Sequence, residues 1–190
     1  MTKIAGGQQA SWRNARGWAE GTLARARTPQ SRQDLLAIYL NDHLAGATGG
    51  VELARRMTVW YPIAGQQATL ERLAADIGQD RQVLLGLMAV LGMPIRRYKI
   101  GVAWAAEKAG RLKLNGSLVS RSPLSNLEEL ELLRLGVEGK AAGWRTLREL
   151  AKVDDRLEPS ALDELITRAR EQASLLEELR VQAAAQLIGA

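Results

Sequence analysis

A chain of 190 residues that is 46 % hydrophobic and 25 % charged carries enough apolar material for one ordinary core, burying roughly 70 % of its unfolded surface. It has no cysteine and one histidine, which removes disulfides and thiolate metal sites and leaves few catalytic sets built on imidazole. The net charge of +5 hides a division: residues 1–33 hold six basic side chains against Glu20, residues 95–122 hold seven against Glu107, and the remainder is acidic, 13 basic against 19.

Residues 1–30, punctuated by Gly6, Gly7, Gly17, Gly21 and Pro29, read as a basic N-terminal arm, with a helical stretch from Ser11 to Arg27. Trp12 and Trp18 are interleaved with Arg13, Arg16, Arg25 and Arg27. Such a pattern suits phosphate contacts and base stacking, or an anionic membrane surface. It equally suits a peptide for a protein partner, and the simplest expectation is a tail that docks on its own body or stays solvated.

Four helices are expected over residues 31–190. The first runs from about 31 to 58: Ser31 and Asp34 form a box-like Ser-x-x-Asp, and Leu36, Leu40, His43, Ala47, Val51 and Ala54 recur at helical spacing. The second spans about 69 to 91, capped by Thr69, striped by Leu70, Leu73, Ile77, Leu84, Met88 and Leu91, and stopped by Gly92 and Pro94. The third, about 124 to 152, opens on a Ser125 to Glu128 box and carries Leu130, Leu133, Val137, Ala141, Trp144 and Leu147. The fourth, about 160 to 188, opens with Pro159, Ser160 and Asp163 and repeats Leu162, Leu165, Ile166, Ala169, Ala173 and Leu176. Strand signals are essentially absent.

Connection lengths suggest the topology. About ten residues join the first pair and about seven the last, so each pair should form an antiparallel hairpin. Residues 93–123, with Tyr98, Val102, Trp104 and Leu112, are long enough to cross a 25-residue helix of about 38 Å. That crossover gives an all-α, up-down-down-up bundle. The longest apolar run, Leu84 to Leu91, falls far short of the roughly 20 residues that span a bilayer, and no secretory signal pattern opens the chain, so a cytoplasmic protein is expected.

Two features stand apart from the apolar stripes. His43 lies between Leu40 and Ala47, Asp80 between Ile77 and Leu84, and Glu138 flanks the middle of the third stripe. They read first as a buried polar network satisfied by charge and hydrogen bonding. A stripe edge open to solvent, or a metal site using His43, Asp80 and carboxylates such as Glu52, Glu138 or Glu171, are the alternatives. Glycines form the second feature. Gly46, Gly49 and Gly50 interrupt the first helix, and Gly136, Gly139 and Gly143 the third, at roughly 1 kcal/mol each relative to alanine. Close packing of the two helices is one offset; a ligand groove or dimer face near Trp144 and Trp60 is the other.

The stretches YLNDHLAGATGGVELARR (39–56), AWAAEKAGRLKLNG (103–116) and SPLSNLEELELLRLGVEGKAAGW (122–144) resemble a group of actinobacterial proteins in the ferritin-like superfamily, over about 30–188. The resemblance implies a ferritin-like four-helix bundle with a crossover between its second and third helices; it implies no activity. A di-iron site of that fold needs Glu-x-x-His on two helices and one Glu from each of the others. The residue three before His43 is Leu40, so the standard motif is missing and no metal or cofactor is expected. The expectation is therefore a non-catalytic binding or interaction module, forming a homodimer. The alternatives are a divergent metal-dependent oxidoreductase or metal-binding protein using His43 and Asp80, and a binder of anionic polymer or membrane through the arm.

Overall fold

The computed structural model describes residues 31–60, 65–96 and 123–189. The basic arm, with Trp12, Trp18 and its arginines, and most of the expected crossover lie outside the described residues, as does the side chain of Trp60. By its contacts the chain divides into Met1–Leu35 and Leu36–Ala190; of the first unit only the opening turn of a helix is described.

Among the described residues the secondary structure is helical, with four long helices and no strand: α1 Arg32–Trp60, α2 Gln67–Val90, α3 Pro123–Leu150 and α4 Pro159–Ile188. None is long and apolar enough to cross a membrane. The α1 start is a reciprocal capping box. Asp34 N donates to Ser31 Oγ at 3.1 Å, and Ser31 N donates to Asp34 Oδ2 at 3.2 Å. The other starts differ from expectation. Helix α2 begins at Gln67, with Gln66 as a cap whose side chain makes no capping bond, so Thr69 sits inside the first turn. Ser125 lies within α3, which already starts at Pro123. The cap of α4 is Glu158, whose carboxylate accepts from Ser160 N, with Pro159 in the first helical position. A residue as long as glutamate reaches the free N–H groups, and Ser160 is left as the donor. Past the Leu91 cap of α2 the chain turns at Gly92, where φ is +69°, and Met93 N donates to Met88 O at 2.8 Å.

Inter-helix bonds fix the directions. Thr58 meets Gln67 and Thr48 meets Arg81, so α1 and α2 run antiparallel. Arg56 meets Glu129 while Tyr39 meets Thr146, which opposes α3 to α1. Arg148 pairs with Asp163 and Arg134 with Glu177, which opposes α4 to α3. All four stripes contribute to one core, in which Leu44, Met57, Met88, Leu130, Leu147 and Leu176 are fully buried. Burying a leucine or methionine contributes roughly 1.5 to 3 kcal/mol. The fully buried Asn41 ties the chain leaving α2 to α1: its amide donates to Ala37 O and Pro94 O, and its carbonyl accepts from Arg96 N at 2.6 Å.

Candidate functional site

Asp80 is 2 % exposed, and its partners come from the two distant helices. Its Oδ2 accepts from Lys140 Nζ at 2.5 Å and from Gln172 Nε2 at 3.2 Å, while Oδ1 accepts from Arg168 Nη2. Gln172 turns its carbonyl to the same Lys140 ammonium, and Arg168 Nη1 reaches Gln79 Oε1 at 3.3 Å. One carboxylate thus faces two cations, and the charge of Asp76 also acts on Lys140. Burial pulls the Lys140 ammonium below the ordinary lysine range, and the Asp80 charge opposes that pull.

His43 is not part of this cluster. The level of α2 opposite His43 is four to six residues from Asp80, judged from Thr48 opposite Arg81 and Gly50 opposite Ile77. That is about 6 to 9 Å along the axis, beyond hydrogen-bond reach. The imidazole instead lies over Gly143, where a Cβ would fall 3.1 Å from both Cε1 and Nδ1. Its other flank meets Tyr39 edge-to-face, centroids 4.4 Å apart. The Thr146 hydroxyl gives its proton to Ala142 O, so Tyr39 O–H is the donor in its 2.9 Å bond to Thr146 Oγ1. Burial lowers the His43 pKa below 6.5, against a smaller opposing effect of Asp42.

Glu138, expected beside His43 and Asp80, is exposed, as are Glu52 and Glu171. One residue past the buried Val137 turns a helical side chain by about 100°, which carries Glu138 out to solvent. Among the described residues, no group of three His, Cys, Asp or Glu side chains is placed to hold a metal ion. Asp80 is also a poor ligand, because a cation there displaces Lys140 and Arg168 from both oxygens. The described side chains around Asp80 do not fit a metal centre.

Asp80, Lys140 and His43 share a cavity of about 380 Å³ between α1, α2 and α3. Its walls are largely apolar, from Leu40, Ile77, Leu84, Leu133, Val137 and Leu147, with Trp144 at the same wall. Five of the six ridge glycines line it: Gly46 and Gly50 on α1, Gly136, Gly139 and Gly143 on α3. Of these five, Gly143 is in a tight approach, whereas a Cβ at Gly46, Gly136 or Gly139 would meet no atom of the described residues within 4 Å. These three glycines open the interface; they do not close it.

No protein-family model, curated protein or solved structure matches the chain. Sequence reasoning missed Lys140, Arg168 and Gln172. Two signals pointed to them: a buried Asp80 demands a counter-charge, and Arg168 and Gln172 stand one turn apart at the middle of α4.

Proposed function

We propose that the protein is a non-catalytic binding module built as a ferritin-like, up-down-down-up bundle with residues 97–122 as crossover, and that the glycine-lined cavity takes a small, mainly apolar ligand. The topology is supported by the directions of the helices, since α2 and α3 each run against α1. The ligand reading is carried by the open space above Gly46, Gly136 and Gly139.

Three glycines in helix interiors cost roughly 3 kcal/mol relative to alanine. Close backbone packing would offset this, but no atom of the described residues approaches these positions. A ligand seated on the bare Cα atoms gains contact surface that side chains would otherwise occupy. The cavity volume falls in the roughly 300 to 1,000 Å³ range of small-molecule sites, and its few polar groups in apolar walls match their usual make-up.

The test is a neutral fluorescent probe, phenylnaphthylamine, titrated into the native protein and into Gly139→Leu. The native protein should enhance its emission saturably; the variant, with circular dichroism unchanged, should not. No saturable enhancement by the folded native protein, or equal enhancement by both, overturns the reading.

A further inference from the structure

The cavity is lined by two cations whose hydrogen-bonding capacity the described residues fill only in part. Arg81 of α2 lines it, half-buried, with Nε donating to Thr48 Oγ1 at 3.0 Å. The Thr48 hydroxyl spends its own proton on Leu44 O, so it is held as an acceptor and fixes the guanidinium. A guanidinium has five N–H donors, and among the described residues the four on the Nη atoms of Arg81 have no acceptor and no carboxylate. Four other part-buried arginines are treated differently: Arg56, Arg148, Arg168 and Arg180 each meet an acidic side chain. Lys140, on the opposite wall, gives two of its three ammonium hydrogens to Asp80 and Gln172; the third has no protein acceptor among the described residues. Asp76, outside the lining, also acts on the Lys140 charge. Asp42 is the one lining carboxylate outside the Asp80 cluster, and it is exposed.

We infer that the ligand is a linear amphiphile with a carboxylate head, its head on the Arg81 Nη edge and its chain along the trough over Gly46, Gly136 and Gly139. The inference rests on the ligand reading of the cavity and adds the chemistry of what fills it. A guanidinium with free Nη groups matches a carboxylate in bidentate geometry. The apolar walls match an alkyl chain, and a cavity near the small end of ligand sites suits a medium chain of about eight to ten carbons. Within that length each added methylene should tighten binding about fourfold, and the gain should stop when the trough is full.

Isothermal titration of octanoate, decanoate and neutral decanol into the native protein, Arg81→Met and Gly139→Leu separates the two claims. The native protein should bind decanoate at least tenfold more tightly than decanol, and octanoate about sixteenfold more weakly than decanoate. Arg81→Met should abolish the preference for decanoate and leave decanol affinity unchanged; Arg81→Lys, which keeps the charge, should retain part of it. Gly139→Leu should abolish both. Equal affinities for decanoate and decanol, or a preference that survives Arg81→Met, overturns the head-group assignment and leaves the apolar cavity standing. Failure of every ligand to bind the folded native protein overturns both.

Discussion

Alanine at the cavity glycines should stabilise the protein, whereas alanine at Gly143 should destabilise it. A Cβ at Gly136 or Gly139 enters open space, so the only change to the folded state is the gain in helix propensity, about 0.5 to 1 kcal/mol per site. The double variant Gly136→Ala/Gly139→Ala should gain about 1 to 2 kcal/mol and raise Tm by roughly 2 to 8 °C at this chain length. At Gly143 the same propensity gain meets a His43 ring 3.1 Å from the new carbon. The ring cannot slide freely, because Tyr39 packs on it and is itself bonded to Thr146. Overpacking of this kind costs about 1 to 3 kcal/mol, which exceeds the gain. Urea unfolding followed by circular dichroism at 222 nm, the helical band, reads each change as a shift in midpoint at constant slope. A lower midpoint for Gly139→Ala would show that α1 and α3 close over the cavity; a higher one for Gly143→Ala would show that His43 does not rest on the α3 backbone.

Asp80→Ala leaves Lys140 and Arg168, whose side chains are 13 % and 29 % exposed, without their carboxylate, and should cost about 3 to 5 kcal/mol; adding Lys140→Met should recover part of that loss in the same urea assay, and no recovery would mean the charges are not coupled. His43 gives a single imidazole signal in proton NMR, which should titrate below pH 6.5. Because its pKa is lowered on folding, its contribution to stability is complete above pH 6.5 and is lost as pH falls through the lowered value. A midpoint at or above 6.5, or a pH dependence of stability unaltered by His43→Gln, contradicts the burial assigned to it.

Much of the helical frame is written locally. The periodic stripes give four helices whose ends fall within two residues of the observed ones, and the Ser31 to Asp34 box forms as its spacing implies. The starts of α2, α3 and α4 were harder to read because several residues near each can cap. The choice of Glu158 over Ser160 depends on carboxylate reach, and Thr69 and Ser125 fit equally well inside a first turn.

The candidate site is written in registers between helices, which no single stripe encodes. Asp80 lies on an apolar stripe, so a buried acid is visible in the sequence, but its partners stand 60 to 92 positions away. Shifting α3 by one residue would bring Gly139 or Ala141 to the level of Asp80 in place of Lys140, and neither carries a charge. The glycines show the same ambiguity at atomic scale. Gly136, Gly139 and Gly143 carry the same local penalty, and sequence alone cannot say which is tight and which is open. The tightness of Gly143 is set by His43, a large ring placed opposite it on α1; Gly46, Gly136 and Gly139 face no such ring. One helix therefore holds both a closed contact and a gap, and the gap lies beside the two cations, Arg81 and Lys140, whose hydrogen-bonding capacity the described residues do not fill.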